Sequence, residues 1–168
     1  KGLVERAVVR VVTPGTLTED HLLDHRRPNH LVAATVHRDR AGLAWVEIST
    51  GAFFVHEVPT ARLADEIARV EAAELLLSED LRGGERPFLQ GLDAPITFRA
   101  NYDFGVDTAT RALLGHFRTA TLAGFGVQEM PLAIGAAGAL ISYLQETQKT
   151  ALPHLRALEA WQEGRHMR

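Results

Sequence analysis

Residues 31–58 read LVAATVHRDRAGLAWVEISTGAFFVHEV, and this stretch predicts three consecutive β-strands. Residues 39–42 form the first turn and Thr50-Gly51 the second, because glycine tolerates the positive φ angles that hairpin turns need. The first strand is apolar on both faces, which is typical of a central strand, whereas the third becomes polar and is predicted at the edge. The result is an antiparallel meander with strands at residues 31–37, 43–49 and 52–58.

The segment after the meander predicts a crossover to a parallel strand. Leu63, Ile67 and Val70 recur at helical spacing and indicate a helix with one apolar face. The apolar residues 73–78 then predict a buried fourth strand, parallel to the first because a helix separates the two. Residues 96–98 are short and apolar enough for a fifth strand.

Two helices are predicted to close the domain. The first covers residues 107–117, with Asp107 as its N-cap, and the second begins at Pro131 and continues to about residue 149. A further helical piece is indicated by Leu155, Leu158 and Trp161. This order of elements predicts an α/β domain of the ribonuclease H-like type, with a mixed sheet and helices on both of its faces.

Composition excludes several classes of function. The chain of 168 residues has 18 basic and 21 acidic residues, a net charge of -3, so a polyanion-binding face is not expected. Without cysteine it has no disulfide, no thiolate nucleophile and no cysteine-based zinc site, which fits a reducing compartment. No apolar run reaches the roughly 20 residues that span a bilayer. We therefore expect a cytoplasmic protein that has no metal or cofactor of its own.

Acidic residues test whether the domain is a nuclease. Ribonuclease H-like nucleases place carboxylates on the first and fourth strands, where they hold two divalent cations. Residues 31–36 contain no acid. A non-catalytic domain is therefore favoured, and the alternative is a metal-dependent nuclease in which Glu47, Glu74 or Asp107 gather at one end of the sheet. The candidate acids are Glu47, Glu74, Glu79, Asp103 and Asp107.

Seven short motifs occur in series over nearly the whole chain. They are VERAVVRVVTPGT at residues 4–16, ISTG at 48–51, AAELL at 72–76, LAGFG at 122–126, AAGAL at 136–140, YLQETQ at 143–148 and LPHL at 152–155. Together they resemble the DNA mismatch repair protein family MutS. The order and number of the motifs make this resemblance more specific than any one of them.

The resemblance implies an internal part of a longer protein, divided into three pieces. Residues 1–13 are the tail of a mismatch-binding domain, 14–150 the connector domain and 151–168 the start of the core or lever domain. In this family the connector is ribonuclease H-like without nuclease chemistry and links the DNA-reading domain to the levers and the ATPase. The parent protein binds mismatched DNA, ATP and Mg²⁺ and dimerises, but the mismatch-wedging Phe-x-Glu and the ATPase P-loop have no match here.

The resemblance also implies a partner, the matchmaker MutL, which binds after ATP has converted MutS into a sliding clamp. We predict that the docking surface includes the outer face of the helix at residues 107–117. One face of that helix carries Val106, Leu113, Leu114 and Phe117. Because the last three are expected to pack against the sheet, the positions on the opposite side of the helix are expected to point outward. Arginine suits an interface because it combines charge with a planar stacking face. The predicted contact residues are Thr108, Arg111, Ala112 and Gly115.

Overall fold

The computed structural model describes residues 30–82, 94–127 and 129–161, so the predicted opening strand and the boundary at residue 13 lie outside the described residues. No helix in these ranges is long and apolar enough to cross a membrane. The strands and α-helices of these ranges are β1 His30–His37, β2 Arg40–Glu47, β3 Ala52–Pro59, α1 Leu63–Val70, β4 Ala72–Ser78, β5 Ile96–Arg99, α2 Val106–Phe117, α3 Pro131–Thr147 and β6 Glu159–Ala160.

The strands form one mixed sheet in the order β5-β4-β1-β2-β3-β6. The antiparallel meander of β1, β2 and β3 is confirmed, and so are the parallel pairing of β4 with β1 and the existence of the fifth strand. The structure adds that β5 pairs in parallel with β4. The prediction that β3 lies at the edge is wrong, because the two-residue strand β6 pairs with it in parallel. That partner comes from more than 100 residues along the chain, beyond the reach of local sequence patterns.

Each face of the sheet has its own core, as the doubly apolar first strand predicts. Leu31 and Ala33 of β1 point into a core shared with α2 and α3, whereas Val32 and Ala34 point into a core shared with α1. This division follows from the alternation of side chains along a strand. The helices therefore cover both faces, and we call the two sides the α3 face and the α1 face.

Helix α3 lies almost in backbone contact with the sheet. A Cβ placed on Gly42 of β2 would be 2.2 Å from the carbonyl carbon of Leu132, so only glycine allows this approach. The carboxylate of Glu57 on β3 accepts a hydrogen bond from the backbone N–H of Leu132 at 2.8 Å. Glu57 thus caps a helix whose own N-cap residue, Met130, provides no side-chain hydrogen bond.

Helix α2 packs along α3, and not directly on the sheet as predicted, although Phe117 reaches Phe53 of β3. A Cβ on Gly138 of α3 would be 2.3 Å from the Cα of Ala109, so small residues set the spacing of the two helices. The predicted N-cap is also wrong. Gly105 occupies the N-cap position of α2 and the helix begins one residue before Asp107.

The segment after α3 is not the predicted helical piece. It consists of the 3-10 turn Lys149–His154, an extended stretch and then β6. Leu155 and Leu158 are nevertheless buried, in the core of the α3 face. Contacts with the edge of the sheet, and not helical periodicity, place these side chains.

Candidate docking surface

The predicted surface lies where the 3-10 turn Asn101–Phe104 continues into α2. Phe104, Ala109 and Leu113 are buried against α3 and fix the inner side of this segment. Helical geometry then turns the opposite side towards solvent. We define the α2 patch as the residues on this outer side of the helix and next to it. They are Tyr102, Val106, Thr108, Arg111 and Gly115.

Two large hydrophobic residues of the α2 patch are exposed. Tyr102 is 66% exposed and Val106 is 44% exposed, and within the described ranges the only other exposed large hydrophobic residue is Ile96 of β5. The expectation that Val106 shares the buried face with Leu113 is wrong. Phe104 takes the buried position at this end of the helix, with its carbonyl oxygen against Gly135 of α3.

Two predicted contact residues lie near the hydroxyl of Tyr102, namely Thr108, which is half-buried, and Arg111, which is exposed. Hydrogen bonds with the side chains of Thr108 and then Arg111 lower the pKa of Tyr102 below its usual value, and the charge of Arg111 acts in the same direction. Tyr102 is not among the contact residues predicted from the sequence. The only feature of the sequence that could have indicated Tyr102 is an aromatic residue beside polar residues immediately before a helix. This pattern does not by itself distinguish a buried ring from an exposed one.

The other two predicted contact residues differ from each other. Gly115 is exposed, and a Cβ placed on it would have no neighbouring heavy atom within 4 Å. Ala112, in contrast, is half-buried and packs against the core of the α3 face, so the prediction that it points outward is wrong. Ala112 lies beside the buried residues Ala109 and Leu113, so the buried face of α2 is wider than the sequence predicts.

A salt-bridge cluster holds the turn that carries Tyr102. The guanidinium of Arg99, at the end of β5, lies 2.9 Å from Asp103 in the turn and 2.7 Å from Glu146 in α3. The hydrogen bond from Arg99 lowers the pKa of Glu146, and the same contact is the largest cause of the raised pKa of Arg99. Arg99 is 14% exposed and Asp103 is 20% exposed, whereas Glu146 is 62% exposed, so the cluster ties sheet, turn and helix together with its more sheltered contact at Asp103.

The candidate acids of the nuclease alternative are dispersed and engaged in separate contacts. Glu74 is fully buried in β4 and accepts hydrogen bonds from Tyr143 and Thr97. Glu47 accepts hydrogen bonds from Ser49 and Thr50 in the β2–β3 turn. The other acids are Glu79, which pairs with Arg82, Asp103, which pairs with Arg99, and Asp107, which is exposed at the start of α2.

These acids do not form a metal site in the part of the chain that the structure describes. There, no group of three or more histidine, aspartate or glutamate side chains could hold a metal ion. The two-cation chemistry of a nuclease requires such a group, on neighbouring strand ends.

The comparison with known protein families agrees with the motif series. The family described as MutS domain II matches residues 29–156, which is well over half of the 168-residue chain. Six of the seven motifs lie within the matched residues, and so do α2 and most of its surroundings. The resemblance noted from the sequence is thereby confirmed. The chain belongs to the MutS family, and the matched residues are its domain II, the connector domain.

Proposed function

We propose that this chain is the connector module of a MutS-like DNA mismatch repair protein and that the α2 patch is its docking surface for MutL. The membership in MutS domain II supports the first part. The exposed pair of Tyr102 and Val106 beside Arg111 is the observation that carries the second. In this proposal the module links the mismatch-binding domain to the lever and ATPase domains of a cytoplasmic parent protein.

The strand order supports a ribonuclease H-like fold for this module. An antiparallel meander is followed by two parallel strands on the side of its first strand, and helices cover both faces. The separated acids support a role without nuclease chemistry. ATP and Mg²⁺ binding, mismatch recognition and dimerisation are then tasks of other parts of the parent protein.

The chemistry of the α2 patch suits a protein partner. Tyrosine and arginine are the residues most often found at the energetic centres of interfaces, because each offers a large flat surface and a polar group. Here Arg99 and its two acidic partners hold the turn that carries Tyr102. A surface that is already ordered loses less conformational entropy when it binds.

Crosslinking in the full-length protein tests the assignment. Arg111→Cys and Gly115→Cys place a photo-crosslinker on the α2 patch, and Ala68→Cys places it on the exposed side of α1, on the other face of the sheet. This chain contributes no native cysteine that would compete for the label. We expect the two patch positions to capture MutL in the presence of ATP, and Ala68→Cys not to. Capture at residue 68 alone would overturn the docking assignment.

Binding measurements sharpen the same test. Tyr102→Ala should weaken MutL binding about tenfold, as expected for truncation of an aromatic interface anchor. Asp65→Ala, at an exposed position of α1, is the matched control and should leave the affinity unchanged. If both variants bind as the wild type does, Tyr102 is not an anchor and the patch is wrongly placed.

A further inference from the structure

Residues 152–161 form a segment that we call the strap, and its first half is fastened on the α3 face. Leu155 and Leu158 are buried there, 3% and 2% exposed. The Nε2 atom of His116, in the last turn of α2, lies 2.7 Å from the carbonyl oxygen of Leu155. Since a carbonyl oxygen only accepts, the histidine donates this hydrogen bond. The strap is therefore tied directly to the helix of the α2 patch.

The β2–β3 turn also fits closely around the strap. Gly51 has a φ of 82°, and a Cβ placed on it would be 2.1 Å from the carbonyl oxygen of His154. No other residue type could adopt this conformation and leave space for the strap. The contact fixes the path of the chain as it approaches the edge of the sheet.

The second half of the strap passes around the edge of β3 to the α1 face. Ala160 pairs with Val55, and the N–H of Trp161 donates to the carbonyl oxygen of Val55 at 2.8 Å. The ring of Trp161 then meets the edge of Phe54, with centroids 5.3 Å apart, and the guanidinium of Arg69 lies 4.8 Å from it. A strap of ten residues thus joins the cores on the two faces.

This attachment is extensive but local. Only two residues of the strap are in strand conformation, and exposed residues alternate with its buried leucines. Segments with few regular hydrogen bonds open at lower free energy than the sheet to which they are attached. Only two residues, Glu159 and Ala160, separate Trp161 from the buried Leu158, so release of Trp161 acts on the chain next to the core of the α3 face.

We propose that the strap opens and closes as one unit, and that its closure at Trp161 stabilises the last turn of α2 through the hydrogen bond of His116. Opening then releases Leu155 from His116 and loosens the end of α2. That this loosening changes docking at the α2 patch rests on the function proposed above, but the coupling itself does not.

Hydrogen exchange of backbone amides in the 168-residue chain tests the coupling without any partner. Trp161→Ala removes the fastening on the α1 face. We expect the amides at Leu155 and at residues 116–119 to exchange about tenfold faster, which corresponds to a local opening that is easier by about 1.4 kcal/mol. Ile67→Val is the control, because it weakens the same core from α1 and leaves in place the ring of Trp161 and the hydrogen bond from its N–H to Val55.

The hydrogen bond of His116 provides the second half of the test. In His116→Ala, adding Trp161→Ala should no longer accelerate exchange at residues 116–119, whereas His116→Gln keeps a side-chain donor and should preserve the response. Equal exchange at these residues in Trp161→Ala and Ile67→Val would overturn the proposal, and so would a response that persists in His116→Ala. Neither result bears on whether MutL binds the α2 patch, so the two proposals can fail separately.

Discussion

The two faces of the sheet are covered in opposite ways. On the α3 face, glycine and alanine bring backbones together, as at Gly42 against Leu132 and at Gly138 against Ala109. On the α1 face, large rings and a long cation fill the space, with Trp45 and Trp161 beside the guanidinium of Arg69. The two faces therefore differ in how well they tolerate substitutions. Backbone atoms in contact have no freedom to adjust, whereas long side chains can change rotamer.

This contrast matters for the candidate site. Helix α2, which carries the α2 patch, packs on α3. The position of the patch therefore depends on the α3 face, where backbone contacts leave no room for adjustment. The strap ends on the α1 face, where contacts can be made and broken with less disturbance. The α2 patch and the Trp161 end of the strap thus lie on opposite faces of the sheet, and the strap connects them through the hydrogen bond between His116 and Leu155.

The largest expected effect is at the contact between α2 and α3. Gly138→Ala would place a Cβ 2.3 Å from the Cα of Ala109, and backbone atoms cannot move aside as a side chain would. We expect a loss of about 3 kcal/mol in the free energy of unfolding, the upper part of the range for overpacked cores. Urea denaturation followed by circular dichroism measures it.

Gly115→Ala is the matched control, because it makes the same substitution in a helix where nothing lies within 4 Å. It should raise the free energy of unfolding by about 0.5–1 kcal/mol, since alanine favours helix more than glycine does. If Gly138→Ala is tolerated equally well, the α3 face is not the rigid side and the comparison between the faces fails.

A smaller loss is expected on the α1 face. Arg69 pairs with the buried carboxylate of Glu66 and lies against Trp45 and Trp161, but its side chain is 40% exposed. Arg69→Leu should therefore lower the free energy of unfolding by only about 1 kcal/mol, because Arg62 still pairs with Glu66 and the leucine still packs on the rings. Thermal and urea denaturation measure the change.

Arg69→Lys separates the two contributions of Arg69. Lysine keeps the charge but lacks the planar group that stacks on a ring, so a loss in this variant reports on stacking. If Arg69→Leu is as damaging as Gly138→Ala, the α1 face is as intolerant as the other, and releasing Trp161 would disturb the whole domain.

Whether the sequence predicts a feature of the fold depends on how far apart in the chain the residues that determine this feature lie. The meander, the crossover helix and the parallel β4 follow from turns and periodicities within about 50 residues, and they are confirmed. Pairing of β6 with β3 and capping of α3 by Glu57 join residues far apart in the chain, and no local pattern indicates them. Leu155, Leu158 and Trp161 show helical spacing, yet contacts at both faces hold them in an extended path.

The candidate site shows the same limit. Helical periodicity placed Arg111 and Gly115 outside correctly, but it assigned Ala112 to solvent and Val106 to the buried side. Both errors arise because α2 packs on another helix and is preceded by the buried Phe104. Tyr102 lies outside the helix, so a helical pattern could not include it.

The smallest predicted effect is a pH dependence of stability on the α1 face. His30 is the first residue of β1. Burial lowers the pKa of His30 below its usual value of 6.5, although the carboxylates of Glu47 and Glu71 and the backbone of Val70 act in the opposite direction. In addition, the buried Nδ1 of His30 has no hydrogen-bond partner among the described residues, so a proton placed there would lack an acceptor.

The sign of the effect follows from the lowered pKa. Above pH 6.5 the ring is neutral in the folded and the unfolded chain, and His30 contributes no pH dependence. As the pH falls below 6.5, the unfolded chain gains a proton that the folded chain resists, so the free energy of unfolding decreases until the lower, folded pKa is passed. Because the ring is only half-buried, the decrease should stay below about 1 kcal/mol. Urea denaturation at pH 7.5 and 5.5 should show a larger loss for the wild type than for His30→Gln, which stays neutral. Equal losses, or greater stability of the wild type at pH 5.5, would mean that contacts on the α1 face accommodate the charged ring, and that this face is more adaptable than proposed.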